Sequence, residues 1–207
     1  NINEALFCEE FLQESRIIFA NRAFFTPNGR VTDDIVLRGE VYEKLKSYTI
    51  SSVPQKIKNI MELLKLEAMV EDLPPQPDRI HVANGTLMLD GRFIEGKKEI
   101  VQSRLPVSYN PNAAAPALWL NFLDGLLYEE DIPTLQEFLG YCLLPTTKGQ
   151  KMLMLIGKGG EGKSRIGLVM RSLLGDSMNT TSIQKVESNR FSRADSVSYT
   201  HLTLPTT

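Results

Sequence analysis

The sequence predicts an α+β region over residues 1–147, followed at 148–196 by the first strand, loop and helix of a second domain of α/β type. Three observations carry this prediction. Apolar residues recur with helical spacing up to the proline run Pro74, Pro75 and Pro77, then alternate with period two. Helical spacing returns after Pro116. Finally, a short apolar run at 152–156 leads straight into a glycine-rich octet and an amphipathic stretch.

Composition sets the frame for these elements. With 42% hydrophobic and 23% charged residues, the chain has enough apolar side chains for a packed core and is not of the disordered class. A formal net charge of -2 gives no global basic field, so any nucleic-acid contact has to come from a local patch or from segments outside this chain. Cys8 and Cys142 stand far apart with no C-x-x-C pairing, and both read as buried thiols of a reducing compartment. No apolar run approaches the roughly 20 residues that span a bilayer, so the expectation is a cytoplasmic protein without a membrane partner. The chain opens on Asn1 without an initiator Met, so the expectation is a native start that lies upstream or was removed. The last eleven residues, 197–207, carry no charge and resemble one reading frame of a library-preparation adapter. They are expected to be a sequencing scar with no partner in the fold. His81 is then the only histidine of the protein proper.

Taken in order, residues 5–20 carry Leu6, Phe11, Leu12, Ile18 and Phe19 at approximately helical spacing. Thr26, Pro27, Asn28 and Gly29 read as a turn, since Pro presets φ and Asn-Gly tolerates positive φ. A short helix is expected at 41–48. A longer one runs from Val53 through Ile57, Ile60, Met61 and Leu64, with Lys56, Lys58 and Lys65 on its solvated side, and ends at the prolines. Strands are expected around Ile80 and Val82, at 86–89 and at Phe93 and Ile94, with Asp90-Gly91 as a hairpin turn. Residues 101–109 suit an edge strand because Pro106 lacks a donor. Pro116 opens a helix carrying Leu118, Trp119, Phe122, Leu123 and Leu126, and Asp131 caps another carrying Leu135, Phe138, Leu139, Cys142 and Leu143. Trp119 lies in that apolar stripe and reads as core.

The chemistry lies at Gly157, Lys158, Gly159, Gly160, Glu161, Gly162, Lys163 and Ser164, which fit G-x-x-x-x-G-K-[ST] at every fixed position. At average residue frequencies the pattern arises by chance in on the order of 1% of chains this long. The apolar run before it and the helix after it, with Ile166, Leu168, Val169, Met170, Leu173 and Leu174 ahead of a stop at Gly175, lower that further. Such spacing curls backbone N–H groups around a phosphate, with glycines leaving room and the following helix aiming its positive end at the anion. Lys163 would meet the β- and γ-phosphates, and the Ser164 hydroxyl would ligate Mg²⁺. Arg165 follows in the same cradle. The implied ligand is ATP with magnesium, and Lys163 and Ser164 are the catalytic candidates. The pattern alone leaves open a small-molecule kinase, a packaging motor or a non-enzymatic nucleotide-holding adaptor.

Several stretches narrow that choice by resemblance. VANGTLML at 82–89, WLNFLDGLL at 119–127, LQEFLGYCLLP at 135–145 and LIGKGGEGKSRIGLVMRSLLGD at 155–176 resemble superfamily 3 helicases of phage, plasmid and poxvirus-type primase-helicases. SIQKVESNRFSRAD at 182–195 resembles relatives from Gram-positive mobile elements. The resemblance covers residues 79–195. It implies a helper domain at 1–147 and an AAA+-like ATPase beginning at 148–196, in a protein that forms a homo-oligomeric ring, a hexamer, on single-stranded DNA. It also implies that the Walker B strand, sensor and arginine finger lie beyond Asp195 and a primase domain before Asn1, which leaves this fragment without turnover of its own. Many members carry Asn where Glu161 stands. Lys185, Arg190 and Arg193 form a weak basic cluster that reads as solvated loop charge.

Overall fold

The computed structural model describes residues 2–48, 51–96, 99–180 and 202–203. Among them are six α-helices and two three-stranded antiparallel sheets, an α+β architecture. No helix among the described residues is long and apolar enough to cross a membrane. Two compact units emerge: Asn1–Pro75 with Lys97–Arg104, and Gln76–Gly96 with Leu105–Thr207.

The first unit begins with α1 (Glu4–Ser15), where the Asn3 side chain accepts from the Ala5 and Leu6 amides at 3.2 and 3.3 Å. The sequence suggested a helix reaching residue 20, but α1 stops at Arg16, which adopts a left-handed φ of 46°. Strand β1 (Ile18–Ala20) follows and pairs with β2 (Ala23–Thr26). Asn21 and Arg22, at φ 49° and 63°, make the positive-φ turn that matches strand twist. The expected turn before Gly29 joins β2 to β3 (Gly29–Arg30).

Helix α2 (Asp34–Leu45) starts seven residues before the expected 41–48, because Asp33 caps it by accepting from the Ile35 amide at 2.8 Å. Helix α3 (Val53–Glu67) carries the apolar stripe read from the sequence, with Ile60, Met61 and Leu64 buried. It stops well before the prolines. Residues 68–70 instead bond β1, Phe19 donating to the Ala68 carbonyl at 2.7 Å and accepting from Val70 at 3.0 Å. Phe7, Phe11, Phe24, Leu37, Val41 and Leu45 complete this core around α3. Burial pushes the Cys8 thiol up to about 11, as it does that of Cys142 in the second unit, so both are protonated and inert at neutral pH.

In the second unit β4 (Arg79–Val82), β5 (Gly85–Met88) and β6 (Phe93–Glu95) form the meander expected from period two. The Asp90-Gly91 turn is longer than two residues: Leu89, Asp90 and Gly91 form it, with Gly91 at φ 88°. Gly91 donates to the Met88 carbonyl, and Met88 donates to that of Arg92. Gly85 is required for packing, because a Cβ there would strike the Ile94 carbonyl and lie 2.7 Å from the Phe93 ring. Gly85→Ala should therefore destabilise the unit by about 2 kcal/mol, through overpacking against rigid backbone, read as a lower denaturant midpoint. Residues 101–109 form no regular strand. Around Pro106, Leu105 donates to the His81 carbonyl and Ala83 to that of Val107, both at 2.8 Å, and Asn84 clamps the Tyr109 backbone.

Helices α4 (Ala117–Asp124), α5 (Asp131–Tyr141) and α6 (Lys163–Leu174) complete the unit. Asp131 is the first residue of α5 and not its cap, a position that Glu130 holds without a side-chain bond. The strand expected at 152–156, buried on both faces, is absent. The segment joins no ladder, Met152, Met154 and Ile156 are 80%, 67% and 87% exposed, and only Leu153 and Leu155 turn inward. Its alternation leaves one row of side chains packed inward and the other without a covering layer among the described residues. The compact division also groups residues 157–164 with 76–96 and 105–147, whereas the sequence placed a boundary after 147. The reason is a shared interior: Ile166 packs with Leu123 and Leu135, and Met170 and Leu174 pack with Val82, Leu105 and Cys142. Of the last eleven residues, Leu202–Thr203 pairs in parallel with Asn179–Thr180, so these two do have a backbone partner. Backbone groups pair whatever the side chains are. Lys185, Arg190 and Arg193 lie outside the described residues.

Candidate functional site

The glycine-rich octet leads into α6, whose first residue is Lys163. Gly160 and Gly162 take φ of 86° and 94°, in the left-handed region where a side chain is strained, and this bends the chain onto the helix axis. Gly162 occupies the cap position of α6, and Arg165 donates its amide to the Gly162 carbonyl at 2.8 Å. The first turn of α6 contains no acidic residue. Its positive end therefore faces the loop without a carboxylate of its own turn to offset it.

Lys163 folds back over the loop. Its ammonium donates to the Lys158 carbonyl at 2.6 Å and meets the Glu161 carboxylate at 3.2 Å, with only 14% of the side chain exposed. Both groups lie over Gly157. A Cβ there would collide with the Glu161 carboxylate and sit 3.0 Å from the Lys163 Nζ. Gly157, Lys158, Glu161 and Lys163 thus converge on one small space. At Gly159 and Gly160 an added Cβ would meet nothing within 4 Å. Ser164 and Arg165 are exposed at the start of the helix. Glycines free of Cβ, a lysine ammonium held inside the curve and the positive end of a helix are features that an anionic, phosphate-bearing ligand requires. Were ATP with Mg²⁺ to bind here, Lys163 and the loop amides would be the groups to meet phosphate oxygens and the Ser164 hydroxyl the one to meet the metal.

Two supports were not visible in the sequence. A Cβ at Gly162 would lie 3.0 Å from the Phe122 ring, so α4 packs directly beneath the loop. The Tyr141 hydroxyl accepts from the Gly149 amide at 3.0 Å, which ties the chain entering the loop to the end of α5. Trp119 stacks on Phe122 with ring centroids 5.6 Å apart and belongs to this core, as expected. The buried His81 bridges Thr86 and Gln76 at 2.9 and 2.8 Å. In the first unit Arg22, Arg30 and Lys65 line an open cleft of about 550 Å³ together with Asp33 and Asp34. These residues come from separated segments, and no sequence spacing signals them. Among the described residues no group of three or more His, Cys, Asp or Glu is placed to hold a metal.

Residues 25–127 match the family model described as D5 N terminal like. This domain is the N-terminal part of phage and viral D5-like proteins and is associated with primase-helicases acting in DNA replication. No curated protein matches the chain. The matched span runs from β2 through α4 and stops before the loop at 157–164.

Proposed function

We propose that this chain is part of an ATP-dependent replicative DNA helicase of the primase-helicase type, from a phage, plasmid or other mobile element. One observation carries the reading: a phosphate-loop pattern opening a helix, 30 residues after a domain associated with such enzymes and sharing its core. In this reading Lys163 holds the β- and γ-phosphates and backbone amides of the loop surround them. Ser164 orients Mg²⁺. ATP with magnesium supplies, when bound, the phosphoryl bond whose cleavage drives movement along DNA. Single-stranded DNA as the partner and a hexameric ring as the working form are supported by the resemblance of residues 79–195 to superfamily 3 helicases.

The test uses the full product of the gene that encodes this chain. ATP hydrolysis stimulated several-fold by single-stranded DNA is expected, with ADP and free phosphate as products. Transfer of phosphate to a small acceptor without DNA stimulation would replace the helicase by a kinase. Ser164→Ala should weaken ATP binding about tenfold with magnesium present and less than twofold with chelator present. Equal losses in the two conditions would remove Ser164 from the metal.

A further inference from the structure

The loop already holds an anion, and it is the protein's own. The Glu161 carboxylate lies 3.2 Å from the Lys163 ammonium, against the face of Gly157 that has no Cβ. This is the space that a phosphate oxygen has to enter to reach the same ammonium. We propose that Glu161 is an internal competitor for the phosphate position, which holds Lys163 before nucleotide arrives and makes the loop discriminate in favour of magnesium-complexed nucleotide over free nucleotide. The inference rests on the reading of residues 157–164 as a phosphate cradle and adds a selectivity element to it.

The argument is electrostatic and geometric. An ionised carboxylate is acceptor-only, so it cannot donate to a phosphate oxygen and can only repel it. When a triphosphate approaches, Lys163 exchanges one anionic partner for another and Glu161 is left facing like charge. Free ATP meets that repulsion in full. Magnesium cancels two of the phosphate charges, so the metal complex meets much less of it. The Glu161 side chain is 44% exposed and can swing toward solvent, so its effect is a selectivity filter and not a block. Lys163, at 14% exposure, is the more confined partner and stays where the phosphate needs it.

Glu161→Gln keeps the shape, removes the charge and adds a donor. Dissociation constants for ATP should be measured on the chain by calorimetry, with excess magnesium and with a chelator, for wild type, Glu161→Gln and Lys163→Ala. The expected result is about fivefold tighter binding of metal-free ATP by Glu161→Gln and less than twofold change for the magnesium complex. Lys163→Ala should lose binding in both conditions. If Glu161→Gln binds metal-free ATP no better than wild type, or weakens the magnesium complex, while Lys163→Ala still loses binding, the competitor role is overturned and the cradle stands. If all three proteins behave alike, the cradle reading fails and this inference with it.

Discussion

Lys163→Ala should weaken ATP binding by about 3 kcal/mol, roughly 150-fold in the dissociation constant. The ammonium is the one mobile cation inside the loop, poised over Gly157 by the Lys158 carbonyl at 2.6 Å. A hydrogen bond between charged partners in a partly enclosed site contributes more than a neutral one, and the γ-phosphate has no second lysine in the octet aimed inward. Truncation also frees Glu161 from its ion pair and leaves its charge facing the phosphates, so the loss combines a missing attraction with an exposed repulsion. Lys158→Ala is the control. Only its backbone carbonyl participates, its side chain is exposed, and a change of no more than about twofold is expected. Comparable losses in the two variants would mean that general positive charge, and not the geometry over Gly157, attracts the nucleotide.

Leu64→Ala should destabilise the first unit by about 3 kcal/mol while leaving nucleotide binding intact. Leu64 is completely buried among Phe7, Phe11, Leu37 and Val41, in the stripe of α3 that organises that core. Removing its side chain leaves a cavity bordered by aromatic rings, which collapse poorly into empty space. Leu66, two positions on, is 67% exposed, so Leu66→Ala should cost less than about 0.5 kcal/mol. The same substitution on the same helix thus has a large effect at one position and a small one at the other, and denaturant midpoints of the two variants read the difference. Equal midpoints would contradict the packing of α3. Because the candidate site belongs to the other compact unit, ATP affinity per folded molecule should match wild type in both.

The elements legible in the sequence were those whose signal is local. The stripe of α3 was read correctly, as was the sheet at 79–95, and Gly175 ends α6 where expected. Each depends on periodicity or on a glycine that a short window contains. The β1–β2 hairpin was missed because its turn is Asn21-Arg22, without the glycine that usually announces positive φ, and because α1 ends on a left-handed arginine. The start of helix α2 gives no clear signal, since Ile35 and Val36 are 71% and 66% exposed and break the stripe that marks its inner face. The segment at 152–156 misled in the other direction. Five apolar residues imply a strand buried on both faces, yet that burial depends on elements packed over the faces, which a local window does not contain.

At the candidate site, the octet and the helix it opens were legible because glycine spacing is itself the constraint. The inward fold of Lys163 and its pairing with Glu161 were not, since they depend on side-chain directions within the curve. Nor could spacing reveal that Phe122 and Tyr141, from α4 and α5, brace the loop from below and behind. Those two contacts explain why the loop packs with the helices before it and not as a separate piece.

The most direct test of the central claim is amide hydrogen exchange on this chain, with and without ATP and magnesium. If residues 157–164 form a phosphate cradle, exchange should slow at residues 158–165 and the first turn of α6 when the nucleotide is added, and should not change around α3. Protection elsewhere, or none at saturating ATP, would contradict the assignment of this loop as the nucleotide site.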